Sequence, residues 1–267
     1  MTSRTEKPGL FPALLKFWRG RRGLSQLDLA LTADVSARHV SFLETGRARP
    51  SEEMSLRLAD ALGLPLRERN ELLRAAGFEA AFAEPPPGAG LDGVVGRALD
   101  RMMAQHEPFP MVLMDRLYNV LRLNRGAAAM LSRVVKNPAK SQNALHALFD
   151  PEGAREFIVD WKRAAYSILS RLHREVLEHP GDTQRAELLD ALLAYPDVPR
   201  DFHKPDLDAP SEPVLTFQLR RGDLSLTFLT TVTRFSAPQN VTLDELCIES
   251  YFPLDDATEA ACRALER

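Results

Sequence analysis

The residues whose types and spacing could do chemistry cluster in Leu24–Arg47, LSQLDLALTADVSARHVSFLETGR. Ser25 is a suitable N-cap for a short helix Gln26–Ala33. Ser36 suits a second, Ala37–Thr45, which Gly46 ends. Leu29, Val35, Val40 and Leu43 supply the apolar positions that lock such a pair, and Ala30 is small enough to let the second helix approach. The chemistry on offer is hydrogen bonding and placement of positive charge, not bond making. Two short helices joined by a tight turn place the second in a DNA major groove, where all four base pairs present distinct patterns.

Reactive motifs are absent elsewhere. There is no GxSxG, Walker A loop, HExxH, or GxGxxG after a strand. His173 and His179 stand six apart with Glu175 and Asp182 nearby. Metal binding on a helix is better served by a spacing of three or four, so these read as solvated helix-end histidines. His203 lies among acids in DFHKPDLD. No catalytic residue, metal ligand or cofactor site is assigned, and an enzyme would need a polar cluster that the apolar inward faces do not supply.

The elements that must position the helix pair follow from the rest of the chain. At 267 residues, 45% apolar and 27% charged, the chain is an ordinary globular protein of two domains. The run Glu84–Gly93, EPPPGAGLDG, cannot continue a helix and reads as a linker. The expected division is 1–80, a linker at 81–94, and 95–267. Residues 1–50 hold nine Lys or Arg against four acids, a net +5, so the remainder carries −8 to reach the total of −3. A basic head on an acidic body points to an anionic partner for the head alone. Arg19, Arg21 and Arg22 read as the solvated basic end of a first helix. Cys247 and Cys262 make no disulfide framework or metal spacing. No signal-peptide h-region and no stretch of membrane-spanning length is present. A cytoplasmic location with no membrane partner is expected.

The head reads as five short helices. In the body, Met111–Met114 and Leu117–Leu123 flank Asp115-Arg116 as a hairpin candidate. Asn124 ends the second strand and caps a helix. Asp150-Pro151 reads as an N-cap followed by Pro at the first helical position, opening a helix with Phe157, Trp161, Ala165, Ile168, Leu172 and Val176 on one face. From Pro213 the period becomes two, with Arg221-Gly222-Asp223 as a turn and Leu246–Phe252 as a last strand. The fold class is α+β, an antiparallel sheet with covering helices behind a helical head.

Two resemblances sharpen this. Ser-Gln-Leu-Asp-Leu-Ala from Ser25, Val35-Ser36, Leu-Glu-Thr-Gly-Arg from Leu43 and the later Leu58-Ala59-Asp60-Ala61-Leu62-Gly63 resemble the helix-turn-helix of the XRE, or lambda-repressor-like, family over residues 10–77. The resemblance implies that Gln26 bonds a phosphate and that Ala37, Arg38 and Phe42 face bases. Ala37 would meet a thymine methyl and Arg38 a guanine. His39 and Ser41 would flank that face, and Thr45, Arg47 and Arg49 would touch phosphate. With Ser36 at the helix start, these ten form the expected DNA-binding set. Asp34 stands where that family usually has Gly in the turn, and Asp tolerates a left-handed backbone.

Val112–Ala127, together with the late Arg-Gly-Asp-Leu-Ser-Leu segment and Glu249-Ser250-Tyr251-Phe252-Pro253, is similar to the ligand-binding domain of MmyB-like transcription regulators over residues 95–265. That domain is similar to a PAS fold, and the resemblance implies a small-molecule sensor. A helix-covered sheet encloses an apolar cavity, with Phe109, Met111, Leu113, Trp161, Ile168, Phe217, Leu219, Leu226 and Phe228 as candidate walls. Plain core remains the alternative for each of them. Such a lining favours a long apolar ligand, a fatty acid for example, with Arg122, Lys162 or Arg163 as candidates to meet a carboxylate. The expected whole is a one-component transcriptional regulator, a homodimer on double-stranded DNA that senses a small apolar ligand. The alternative is a DNA-binding protein whose body only dimerises or docks a protein partner.

Overall fold

The computed structural model describes residues 9–86, 88–89, 91, 93–179, 181–204, 215–236 and 238–265. Pro87, Gly90 and Asp92 of the expected linker, Pro213, and the acidic run from Pro205 lie outside them. The chain forms two compact units. The first comprises Met1–Pro85 and Ser236–Asp244, and the second Pro86–Phe235 and Glu245–Arg267.

The first unit is built from α1 (Leu10–Arg21), α2 (Gln26–Thr32), α3 (Ala37–Glu44), α4 (Glu52–Ala61) and α5 (Leu66–Ala76). Ser25, Ser36 and Ser51 each accept a hydrogen bond from the backbone N–H three residues on, and Ser25 forms a full capping box with Asp28. These hydroxyls and the Asp28 carboxylate satisfy donors that a helix start leaves open. Phe11, Leu15, Trp18, Leu29, Ala30, Val40, Leu43, Leu58 and Leu72 make one core. Asp34 takes a left-handed φ of 53° in the turn between α2 and α3. The N–H of Val35 then donates to Ala30 O at 2.9 Å. Arg22 does not end its own helix in water. Its Nε donates to Leu62 O at 2.8 Å and its Nη2 to Gly63 O at 3.0 Å, capping α4.

Residues just beyond α5 stay with it. Asn70 Nδ2 donates to Phe82 O at 2.7 Å and to Glu84 Oε1 at 2.8 Å. Arg67 and Arg74 pair with the same carboxylate.

The second unit holds α6 (Gly93–His106), β1 (Met111–Met114), β2 (Val120–Leu123), α7 (Arg125–Val134), α8 (Ala144–Phe149), α9 (Trp161–Glu178), α10 (Thr183–Leu193), β3 (Leu215–Arg221) and β4 (Leu224–Thr233). After β4 the chain passes through α11 (Val241–Asp244), which belongs to the first unit. There Asp244 Oδ2 accepts from the N–H of Leu66 at 2.9 Å, at a helix start that Pro65 cannot cap. The chain then returns as β5 (Cys247–Pro253) and ends in α12 (Asp256–Leu265). The sheet order is β2-β1-β5-β4-β3, every neighbouring pair antiparallel. Asp115 Oδ1 accepts from the N–H groups of Leu117 and Asn119 and turns the β1–β2 hairpin. Gly222, at φ 57°, turns the β3–β4 hairpin.

Asn124 is a structural keystone. Its Oδ1 accepts from Met111 N at 2.9 Å and from Ala127 N at 2.9 Å, while its Nδ2 donates to Phe109 O at 2.8 Å. One buried amide thus ends β2, caps α7 and holds the start of β1.

One expectation changes. No helix begins at Pro151. Asp150 closes α8 instead, accepting from Glu152 N and pairing with Lys140. The chain then folds back on α8, with Ala154 N–H donating to Ala147 O at 2.7 Å. Only glycine fits at 153, where a Cβ would stand 2.2 Å from Ala147 O. The long helix therefore starts at Trp161, after Asp160 at φ 51°.

Asn124→Ala leaves a buried N–H and C=O unsatisfied and removes a cap, an expected loss of about 2–4 kcal/mol. Urea unfolding followed by circular dichroism checks this, and a loss below about 1 kcal/mol would contradict it.

Candidate functional site

The first unit offers a polar face built on α3. Val40 and Leu43 are fully buried, so the opposite side of the helix is free. Arg38, Thr45, Arg47 and Arg49 are exposed, Ser36 is exposed at the start, and Ala37, His39, Ser41 and Phe42 are half-buried. The Arg38 guanidinium lies 5.1 Å from the centroid of the Phe42 ring and that of Arg47 lies 6.0 Å from it. Contact with an aromatic ring restrains such long, mobile side chains. Thr45 stays exposed, its hydroxyl donating back to Ser41 O at 2.8 Å.

This face is oriented by a buried carboxylate. Glu44 Oε1 accepts from Arg19 Nε at 2.6 Å, and Oε2 accepts from Arg19 Nη2 at 3.0 Å and from Gln26 Nε2 at 2.7 Å. Arg19 Nη1 also donates to Leu24 O at 2.7 Å. The Glu44 side chain is only 3% exposed, so α1, α2 and α3 are tied at one point. Arg19 is thus committed to the interior, and Gln26 spends one amide hydrogen there, keeping the other. Burial pushes the Glu44 carboxyl up. The hydrogen bonds from Arg19 and Gln26 and the positive charge of Arg19 outweigh it, so its pKa lies below the ordinary value.

The second unit encloses a cavity between the sheet and α7, α8 and α9. The cavity volume is about 80 Å³. The walls are mostly apolar: Val112 and Val120 from the first hairpin, Met130, Leu131 and Val134 from α7, and Leu145 and Leu148 from α8. Ala144, Ala147, Ala154 and Ala164 leave the room. Of the expected walls, Ile168, Phe217 and Leu219 line it. Leu226 and Phe228 are fully buried in the core beside Phe217 and Leu219. Trp161 packs on that core and donates its indole N–H to Leu148 O at 2.8 Å. Phe109 packs at the edge of the same core. Met111 and Leu113 are buried but alternate away from Val112, which faces the cavity.

Charged and phenolic groups also face this space: Arg171 from α9, Glu249 and Tyr251 from β5, and Tyr118 from the β1–β2 turn. Arg171 Nε is buried without a hydrogen-bond partner, and its guanidinium lies 5.4 Å from the centroid of the Tyr118 ring. Burial disfavours its charge, but the facing Tyr118, Glu249 and Glu175 more than offset this, leaving its pKa raised. Tyr118 donates its hydroxyl to Glu175 Oε1 at 2.8 Å. The Tyr251 hydroxyl hydrogen-bonds the Glu249 carboxylate. Burial raises the pKa of Glu249, against the opposing pull of Arg171 and that hydrogen bond. The three basic residues expected near a ligand carboxylate lie elsewhere. Arg122 pairs with Asp100, Lys162 is exposed, and Arg163 borders a separate recess with Asp160.

The missed residues had a readable signal. Arg171 stands three residues after Ile168 on the apolar stripe of α9, and Glu249 shares the parity of Tyr251 on β5. Among the described residues no cluster of three His, Cys, Asp or Glu could hold a metal ion, and no helix is long and apolar enough to cross a membrane. His173 hydrogen-bonds Phe202 O at 3.1 Å.

A helix-turn-helix with a polar outward α3, joined to a helix-covered antiparallel sheet with a cavity, defines a DNA-binding transcription regulator with a ligand-binding domain. Comparison with known families gives the same division. The helix-turn-helix family matches residues 15–69. The MmyB-like transcription regulator ligand binding domain matches residues 95–265, and the chain belongs to that family. No curated protein matches the chain. Among solved structures, that of an RNA-binding light-oxygen-voltage receptor aligns with 95% of this chain at 14% identity and a TM-score of 0.28; the chain spans 63% of its length.

The carboxylate node sets a pH dependence. Glu44 has a lower pKa folded than unfolded. Its contribution is therefore present above its ordinary value of 4.5 and lost as pH falls through the folded value. Melting temperature measured from neutral to acid pH is expected to fall in that window. Glu44→Gln should be less stable near neutrality and flatter in acid, and an unchanged profile would contradict the assignment.

Proposed function

We propose that this chain is a one-component regulator whose α3 reads operator DNA and whose cavity holds a small, largely apolar ligand of the fatty-acid class. The observation that carries the reading is the cavity itself. Its walls are apolar apart from Arg171, Glu249, two tyrosines and two threonines, the lining of a site for an apolar ligand with a polar end. For DNA, Arg38 pairs with a guanine and Ala37 meets a thymine methyl. Gln26, Thr45, Arg47 and Arg49 approach phosphates, and Ser36, His39, Ser41 and Phe42 complete the surface. The Arg38–Phe42–Arg47 stack and the net +5 of residues 1–50 support this.

The protein acts as a homodimer, because one helix-turn-helix covers only a half-site. Ligand binding shifts the two heads only through a difference in affinity between two states. The chain offers a covalent route for that shift. β4 and β5 border the cavity, and the segment between them, Ser236–Asp244, is part of the DNA-reading unit.

The test begins with an organic extract of purified, denatured protein, analysed by mass spectrometry. A stoichiometric apolar molecule is expected, and it should change operator affinity when titrated back. An empty extract, together with no binding of added acyl compounds, would favour a body that only dimerises or docks a partner. For the head, Arg38→Ala should weaken binding to a selected operator by about 10- to 100-fold, the weight of one bidentate base contact. Fluorescence anisotropy at fixed salt measures it, and unchanged affinity would remove Arg38 from the base-reading set.

A further inference from the structure

The polar groups of the cavity come as an opposed pair. Arg171 brings hydrogen-bond donors, one of which, Nε, has no partner. Glu249 brings a carboxylate that accepts from Tyr251 and has acceptor capacity to spare. Both face the same space, on α9 and β5 respectively. Tyr118 stacks near Arg171 and engages Glu175. Cys247, on the same strand and of the same parity as Glu249, is buried, and its thiol is pushed up to about 11 by burial and by Glu249.

A ligand that ends in a bare carboxylate would satisfy Arg171 but place a second negative charge against Glu249, in surroundings where repulsion is weakly screened. A head group with one acceptor and one donor satisfies both. An amide qualifies, and so does a carboxylic acid that keeps its proton.

Building on the ligand-binding reading above, we propose that the cavity selects acyl ligands with an electrically neutral head group, giving an acceptor to Arg171 and a donor to Glu249. A fatty acid then shares one proton between its own carboxyl and that of Glu249, a proton taken up from water at alkaline pH, where Glu249 is ionised in the free protein. The groups around that proton are Arg171, Tyr251, Cys247, Tyr118 and Glu175. Arg185 pairs with Glu175 at 3.7 Å, and Arg234 acts on Cys247. Arg171 is the cation that acts on Glu249, and beside it the ligand carboxyl and Glu249 hold one negative charge between them, since two would exceed what that guanidinium balances.

The experiment uses the full chain, delipidated on a hydrophobic resin, with decanoate and decanamide as probes. Calorimetry in two buffers of different ionisation heat counts protons. About one proton should enter per decanoate at pH 8 and none per decanamide. Decanoate affinity should fall about tenfold per pH unit above neutrality while decanamide affinity stays flat. Glu249→Gln, nearly isosteric, should abolish proton uptake and bind decanoate at least about tenfold more tightly than wild type at pH 9. Decanoate binding without proton uptake, unchanged by Glu249→Gln, would overturn the head-group proposal and leave the cavity as a ligand site. Failure of both probes to bind wild type and variant would overturn both.

Discussion

The alternation of side chains along β5 is the constraint on which the second unit turns. β5 is the central strand, paired on one side with β1 and on the other with β4. Its period of two sends Cys247, Glu249 and Tyr251 to one face, and Glu249 and Tyr251 reach the cavity beneath the helices. A carboxylate set into apolar surroundings is costly unless charge or hydrogen bonds meet it. The rest follows from that need. Tyr251 supplies a hydroxyl from the same strand, and α9 brings Arg171 in from above. Tyr118, on the hairpin turn, gives Arg171 an aromatic face and binds Glu175. Removing the strand's alternation would remove the reason for each of these contacts.

A second buried carboxylate organises the first unit in a different way. Glu44 is the last residue of α3 and takes three hydrogen bonds from Arg19 and Gln26. These bonds use the inward side of α3, so its outward side is left to Arg38, Phe42 and the residues beyond. The helix is only eight residues long, and a helix that short has little stability of its own. Its orientation therefore comes from the apolar contacts of Val40 and Leu43 and from this node. The two carboxylates differ in consequence. Glu44 is satisfied by its own chain, whereas Arg171 and Glu249 line the cavity and the buried Arg171 Nε has no hydrogen-bond partner.

Much of the framework was legible because local rules act on neighbouring residues. Serines before apolar periods marked the starts of α2 and α3, and Asp34 could be read as a left-handed turn residue. Asn124 could be placed at a strand end and helix start, but not its bond to Phe109 O, which depends on β1 lying alongside. The helix expected from Pro151 failed for a similar reason. Its apolar spacing was real, but the segment folds onto α8, where only Gly153 fits against Ala147 O. The cavity was the least legible part. Its room comes from alanines on α8 and α9 and on the segment between them, and a small side chain announces nothing about the space beside it. Large residues such as Phe228 and Leu226 fill the neighbouring core instead, on the same strand face.

The sequence by itself determined the local syntax: capped helices in the head, a charge asymmetry between the halves, a hairpin and late strands of period two, and the motifs that fix the family. These depend on residues a few positions apart, whose geometry the backbone dictates. Only the tertiary structure decided that Ser236–Asp244 leaves the sheet to join the head, that Arg19 turns inward to Glu44, and that Arg171 and Glu249 meet across one cavity. Each of these joins residues tens to hundreds of positions apart, and such encounters are set by how whole elements pack, which no local pattern contains.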